Sequence, residues 1–167
     1  VWLRLEVDGI DAGRLEVELA ADILPVTCSN FASLCTGSGA PERKAAYTFV
    51  GTPVHRIIKG VAVVAGDVEG LGGRGSHSAL GARYFPDEAF LIPHATPGLL
   101  SMANRGRDTN GSQFYVTLAP APHLDGRSVA FGRVLSGLDA VKKISTMFSM
   151  RGRPVSDVRI ADAGIVA

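Results

Sequence analysis

The sequence predicts an all-β domain, a sandwich or a barrel, accompanied by two helices. The chain opens with residues that alternate between apolar and polar, and short strand-like runs recur between clusters of Gly, Pro, Asn and Asp. Helical spacing occurs in two segments only. A chain of 167 residues is long enough for one substantial core, and no linker or internal repeat interrupts it. We therefore expect one domain over residues 1–167.

The first elements are a hairpin and a helix. Residues 2–7 and 13–19 alternate in polarity around a turn at residues 8–11, as expected for a half-buried hairpin. Residues 24–34 change to helical spacing, with Pro25 suited to the first turn and Gly37 to the stop. The polar segment at residues 36–46 is predicted to be an exposed loop.

The remainder of the chain is rich in strands. A second helix is predicted around Leu138, Val141 and Ile144, and β-like alternation returns at residues 159–166. The segment at residues 68–97 is glycine-rich and irregular, which in a compact domain indicates a functional loop. The strand-like runs lie at residues 54–58, 61–65, 99–103, 114–118 and 129–134.

Composition excludes several classes of function. The 17 basic and 16 acidic residues leave a net charge of +1, too little to attract nucleic acid or an anionic membrane, and no apolar run is long enough to span a bilayer. Cys28 and Cys35 are too far apart in the first helix for a disulfide, and the histidines show no spacing typical of metal ligands. Free cysteines and the absence of a signal-peptide pattern favour a cytoplasmic location. We also expect a monomer without cofactors.

Several motifs resemble those of the cyclophilin family. VHRIIKG lies at residues 54–60, PGLLSMAN at 97–104 and TNGSQFY at 109–115, followed by LDG at 124–126 and FGRV at 131–134, in the order the family has them. The resemblance implies a closed eight-stranded antiparallel β-barrel capped by two α-helices. It also implies peptidyl-prolyl cis-trans isomerase activity on proline-containing peptides or folding proteins.

The resemblance assigns roles to particular residues. Arg56 is expected to stabilise the twisted amide as the catalytic residue, and Gln113 to orient it. His55 is expected on the opposite face of its strand, with a structural role. The remaining residues expected to bind substrate are Val61, Ala62, Val64, Ala103, Asn104, Arg105, Tyr115, His123, Leu124 and Ser128.

The same positions depart from the family pattern. Val61 and Ala62 stand where phenylalanine and methionine are usual, Val64 replaces a glutamine, His123 a tryptophan and Ser128 a histidine. Because less apolar surface would cover the proline ring, we expect weak catalysis and weak or no binding of cyclosporin-type ligands. The alternative is a catalytically impaired binding module for proline-containing partners.

Three arginines near the expected substrate site predict a preference for acidic substrates. Arg74, Arg83 and Arg105 are expected, by the resemblance, beside the subsite for the residue two before proline. Desolvated arginines pair strongly with anions, so acidic residues upstream of proline would improve binding. The alternative is that these arginines are ordinary solvated surface charges.

Overall fold

The computed structural model describes residues 1–38 and 46–167. Within these residues the chain forms ten strands, two α-helices and one short 3₁₀ turn at Pro122–Leu124. The strands are β1 (Trp2–Val7), β2 (Ile10–Leu19), β3 (Val54–Ile58), β4 (Ala62–Ala65), β5 (Leu99–Met102), β6 (Phe114–Thr117), β7 (Ala130–Ser136), β8 (Ser149–Met150), β9 (Arg153–Pro154) and β10 (Val158–Gly164). The helices are α1 (Pro25–Thr36) and α2 (Leu138–Ser145).

Eight strands form one antiparallel sheet that curls into a nearly closed barrel. Their order is β10-β1-β2-β7-β5-β6-β4-β3, and β8 with β9 forms a separate hairpin. The two ends of the sheet meet at an antiparallel bridge between Pro53 and Arg159. The Ile160 N–H donates to the Thr52 carbonyl at 2.9 Å beside that bridge. The eight-stranded barrel with two helices is therefore confirmed.

Alternation along the strands separates the barrel interior from its outer surface. Val63 and Ala65 of β4, like Phe114 and Val116 of β6, belong to the buried core. Phe31 of α1 closes the barrel, with its ring centroid 5.0 Å from that of Phe114. Because the interior is filled by side chains, a substrate site has to lie on the outer surface or in the loops.

Helix α1 is capped from a distant loop. Its N-cap residue, Leu24, has no capping side chain, and the Glu88 carboxylate accepts the N–H groups of Val26 and Thr27 at 2.9 and 2.8 Å. Partial burial disfavours the charged form of Glu88, but these bonds and one from the Thr27 hydroxyl outweigh it and lower the carboxyl pKa. At the other end Gly37 adopts φ 70°, which confirms the predicted stop.

Several predicted boundaries were wrong. The first turn contains only Asp8 and Gly9, both with positive φ, so β2 begins at Ile10 and not at residue 13. Helix α1 runs two residues beyond the predicted end at residue 34, and Val61 lies in the turn before β4. The β8–β9 hairpin was not predicted because its strands are two residues long. Of the loop predicted at 36–46, residues 39–45 lie outside the described residues.

Candidate active site

One groove on the outer surface brings together seven of the predicted site residues. It encloses about 360 Å³ and lies where β3, β4 and β6 meet the irregular loops. Its lining contains, from the prediction, Arg56, Val64, Ala103, Asn104, Arg105, Gln113 and Tyr115.

Strand pairing explains the side of the groove built by β3, β4 and β6. Arg56 pairs with Val64, and Val64 in turn pairs with Tyr115 of β6. These three residues alternate with core residues, so they share the outer face of the barrel. Arg56 is exposed, and among the described residues no hydrogen bond or ion pair engages its guanidinium. The arginine is therefore free to meet a bound peptide.

His55 lines the same groove as Arg56, so the expectation that it faces the opposite side was wrong. The β3–β4 register shifts between Val54 and Arg56, and a bulge of this kind breaks the alternation on which the expectation relied. The side chain is 9% exposed, and its Nδ1 has no hydrogen-bond partner. Burial lowers the pKa of His55, although the nearby Asp67 charge acts in the opposite direction.

A glycine-rich loop at residues 66–75 forms the second side of the groove, and a buried carboxylate organises it. Asp67 accepts the backbone N–H groups of Glu69, Leu71 and Gly73 at 3.1, 2.9 and 2.6 Å. The loop therefore folds around one side chain without regular secondary structure. A Cβ on Gly73 would lie 2.5 Å from Cδ2 of His55, so the loop backbone rests directly against the histidine ring.

Gln113 ties β6 to this loop. Its Nε2 donates to the carbonyls of Gly73 and Gly75 at 2.8 and 2.7 Å. Both amide hydrogens are thus used to fix the loop, and within the described residues no hydrogen bond joins the side chain to Arg56. The groove wall that Gln113 holds in place includes the backbone on which His55 packs.

The third side of the groove is the turn after β5. The Ala103 N–H bonds to the Gln113 carbonyl at 3.0 Å. The side chain of Asn104 spans two segments, since its Nδ2 donates to the Arg127 carbonyl at 2.7 Å and its Oδ1 accepts the Gly106 N–H at 3.1 Å. Among the described residues the backbone N–H of Asn104 makes no hydrogen bond, so it remains available to a ligand.

The other five predicted residues do not line this groove. Ala62 shares the outer face with Val64 but is two residues further along β4, opposite Thr117, and is only 1% exposed. Val61 precedes it in the turn. His123 and Leu124 lie in the 3₁₀ turn, and Ser128 is buried just beyond it. The Asn104 bond to Arg127 links that segment to the groove without bringing these side chains into its lining.

Sequence reasoning missed the contribution of the β8–β9 hairpin. The Ile57 N–H donates to the Gly152 carbonyl at 2.6 Å, which holds the hairpin against β3. As a result Arg151 and Arg153 join the lining. Residues 151–154 read Arg-Gly-Arg-Pro, a turn pattern that could have signalled a hairpin. Nothing in the sequence indicated that it packs beside Arg56. Ser76, Tyr84 and Thr109 also line the groove and were not predicted.

A Ser-His-Asp arrangement elsewhere is structural. Nδ1 of His94 lies 2.8 Å from Oδ1 of Asp125, and Nε2 lies 2.7 Å from Oγ of Ser101. However, Ser101 is 0% exposed, so its hydroxyl cannot reach a substrate. The hydrogen bond from the backbone N–H of His94, followed in size by the one from its ring, lowers the pKa of Asp125. The hydrogen bonds of His94 to Asp125 and Ser101 therefore hold the 3₁₀ turn against β5.

The groove supplies hydrogen bonds and positive charge. Across residues 1–38 and 46–167 no three potential ligands cluster to hold a metal ion. Burial raises the thiol pKa of Cys28 to about 11 and of Cys35 to about 12, so both stay protonated and unreactive in the core. No helix within the described residues is long and apolar enough to cross a membrane. The hydrogen-bond donors and positive charge of the groove can stabilise a ligand electrostatically.

Comparison with known proteins identifies the family. Residues 2–165 match the family described as cyclophilin type peptidyl-prolyl cis-trans isomerase/CLD. Peptidyl-prolyl cis-trans isomerase 9 of Caenorhabditis briggsae is 41% identical over 167 residues, covering 98% of this chain and 53% of that protein. The NK-tumor recognition proteins of Mus musculus and Homo sapiens are each 40% identical over 166 residues, covering 98% of this chain and 11% of theirs. The chain therefore belongs to the cyclophilin-type peptidyl-prolyl cis-trans isomerase family.

The description of the family and the name of one relative both refer to prolyl isomerase activity. The resemblance to the family seen in the motifs is therefore confirmed. The chain spans about half the length of that relative and about a tenth of the two NK-tumor recognition proteins.

Proposed function

We propose that the groove beside Arg56 is where this domain isomerises X-Pro bonds, with Arg56 as its catalytic residue. Rotation requires loss of amide resonance, which gives a barrier of about 18 to 20 kcal/mol. A donor aimed at the twisted amide stabilises it without breaking a bond. The observation that carries the proposal is the unpaired guanidinium of Arg56, exposed in a groove.

The other lining residues have supporting roles in this proposal. The backbone of Asn104 hydrogen-bonds the peptide, and Tyr115 gives an apolar wall to the proline ring. Gln113 acts as a positioning residue through the glycine-rich loop, since its donors are bonded to Gly73 and Gly75. Its influence on Arg56 is therefore indirect, through the groove wall and His55.

Catalysis is weak in this proposal because the apolar contacts are small. Val64 is the aliphatic residue directly paired with Arg56, and it offers no hydrogen bond to aim the guanidinium. Val61 and Ala62 do not line the groove, so they add no apolar contact of the kind that the aromatic and thioether side chains usual in the family are expected to give. At about 25 cal/mol per Å², the loss is on the order of 1 to 2 kcal/mol, and each 1.4 kcal/mol is about tenfold in affinity.

A second candidate is a binding module that holds proline-containing partners without turning them over. The same observation favours it: Arg56 lacks a partner that would fix its position, and preorganised donors are what electrostatic catalysis requires. Binding needs only a surface of matching shape and charge. The two candidates therefore differ in exchange rate and not in whether peptides bind.

Exchange spectroscopy on Ala-Pro and Phe-Pro peptides tests the proposal. Wild-type protein should raise the cis/trans exchange rate, and Arg56→Ala should remove most of that increase while leaving the thermal midpoint unchanged, because Arg56 is exposed. Gln113→Ala should reduce the rate less. Lys143→Gln on the exposed face of α2 is the control for a lost positive charge.

The outcomes separate the candidates. Equal rates for Arg56→Ala and wild type would refute a catalytic role for Arg56. Line broadening of the peptides without faster exchange would select the binding module. If Gln113→Ala unfolds the domain, its role is structural, as the two loop hydrogen bonds would then imply.

A further inference from the structure

Positive charge is concentrated in the groove although the chain as a whole is almost neutral. Four arginines belong to the lining, and the lining contains no Asp or Glu. The whole chain has 17 basic against 16 acidic residues, so this is a local excess. The four are Arg56, Arg105, Arg151 and Arg153.

Two of these arginines are brought to the groove by the β8–β9 hairpin. The Gly152 carbonyl is bonded to Ile57, and a Cβ on Gly152 would lie 3.6 Å from Cγ of Arg56, so the hairpin tip packs against the stem of the catalytic arginine. Arg153 extends from the hairpin to the glycine-rich loop, where its Nη2 donates to the Gly72 carbonyl at 2.6 Å. Arg151 precedes the turn glycine with φ 53°.

Arg105 occupies the opposite rim. Its Nη2 donates to the Arg74 carbonyl at 2.5 Å, which joins the turn after β5 to the glycine-rich loop. Arg105 and Arg153 are thus both anchored by neutral carbonyl oxygens. Such bonds orient a guanidinium but leave its charge and its other N–H donors available.

The four groove arginines have no carboxylate partner, whereas six other arginines of the described residues have one. Within residues 1–38 and 46–167, no Asp or Glu lies within 4.0 Å of any of the four guanidiniums. Arg83, by contrast, pairs with Glu69 at 2.9 Å and does not line the groove. Of the three arginines expected to supply the positive charge, only Arg105 lines the groove, and Arg74 and Arg83 do not.

We propose that the groove selects proline-containing segments that carry an anionic side chain near the prolyl bond, and that Arg151 and Arg153 bind the anion. The anion is a carboxylate or a phosphate, since both accept paired N–H donors from a guanidinium. Arg56 is left to the reacting amide. The inference rests on the proposed function only for the choice of a peptide as ligand.

A peptide series measures the selectivity directly. Each peptide contains one Ala-Pro bond and one variable residue, Gln, Glu, Ser or phosphoserine, scanned from two positions before to two after proline. Dissociation constants are obtained by NMR titration at about 0.05 M and 0.5 M salt, which changes the screening length severalfold. Partly exposed charge pairs predict, at the best position, about fivefold tighter binding for Glu over Gln and about tenfold or more for phosphoserine over Ser.

Matched variants assign the effect to the hairpin. Arg151→Gln with Arg153→Gln should bring both ratios close to one. Replacing both by Lys should retain the preference for Glu and weaken that for phosphoserine, because lysine lacks the planar fork. Lys143→Gln removes one positive charge outside the lining and should leave the ratios unchanged. The preference should fade at high salt.

The proposal is overturned if no position distinguishes anionic from neutral peptides at low salt, or if the Gln double variant keeps the preference. It is also overturned if a single-stranded oligonucleotide displaces the phosphopeptide and binds more tightly than it does. Exchange rates recorded on the same samples keep the two questions apart. A wild-type protein that prefers acidic peptides without accelerating exchange supports the anion site and refutes catalysis. A wild-type protein that accelerates exchange without preferring acidic peptides supports catalysis and refutes the anion site.

Discussion

Replacing Gly73 by alanine perturbs the point where the glycine-rich loop rests on His55. The added methyl carbon would lie 2.5 Å from Cδ2, 3.0 Å from Cγ and 3.2 Å from Nε2 of that ring. Non-bonded carbon atoms prefer separations of about 3.5 to 4.0 Å. His55 is 9% exposed and held in a β-bulge, so the ring has little room to retreat. Either the loop or the histidine has to move.

The expected cost has two parts that a matched variant separates. Gly73 has φ +89° and Gly70 has φ +68°, so alanine at either position is strained by about 1 to 2 kcal/mol. At Gly70 nothing lies within 4 Å of the added carbon. At Gly73 the collision adds about 1 to 3 kcal/mol, as for other overpacked sites. Gly73→Ala should therefore be less stable than Gly70→Ala by that second amount.

Urea denaturation of both variants and wild type gives this difference, provided that the slopes agree. Chemical shifts of the His55 ring and of the Gln113 side-chain amide should change in Gly73→Ala and stay constant in Gly70→Ala. Equal unfolding midpoints for the two variants would refute the packing of the loop against His55. Equal unfolding midpoints together with unchanged chemical shifts of the His55 ring would also refute the inference that Gln113 supports the groove through the glycine-rich loop and His55.

Two further predictions concern acid stability and ligand binding. The pKa of Glu88 is lowered in the folded state, so its contribution is present above its unfolded pKa and is lost as the pH falls through the folded value. Thermal melts should show that Glu88→Gln destabilises by about 1 kcal/mol at pH 7 and by little near pH 3, whereas an exposed-pair control, Glu16→Gln, should change little at either pH. Cyclosporin-type ligands should bind weakly and leave the fluorescence of Trp2 unchanged, because this residue is in β1, outside the groove lining, against Arg14. A nanomolar dissociation constant by calorimetry would contradict that account.

Local patterns were sufficient to predict the elements with strong periodicity. Alternation identified β1 and β3 with their observed bounds, and Pro25 and Gly37 bracket α1 as capping rules require. Elements that depend on tertiary contacts were missed. The two-residue strands β8 and β9 carry too few residues for any period, and they exist because Ile57 and Arg153 bond the hairpin to the barrel and to the glycine-rich loop.

The candidate site was predicted only in part, since seven of the twelve residues named from the sequence line one groove. Motifs pointed to Arg56, Asn104 and Gln113, and one groove contains all three. The position of His55 could not be predicted, because a bulge adds one residue to the strand count without a signal in the sequence. The bonds of Gln113 to Gly73 and Gly75 were equally hidden, since they join residues about 40 positions apart in the chain.

The two proposals together imply selectivity by charge. A smaller apolar floor lowers the affinity for every proline-containing peptide, neutral or charged, by about 1 to 2 kcal/mol. The contacts of Arg151 and Arg153 with an anion each stabilise the complex by about 0.2 to 1 kcal/mol, and only peptides that carry an anion make them. Neutral peptides are therefore left with weak binding, whereas anionic peptides recover much of the loss. Enlarging the floor with Val64→Met should strengthen the binding of all peptides alike and leave the ratio of anionic to neutral affinity unchanged, since methionine is uncharged and Val64 makes no hydrogen bond to the hairpin arginines within the described residues.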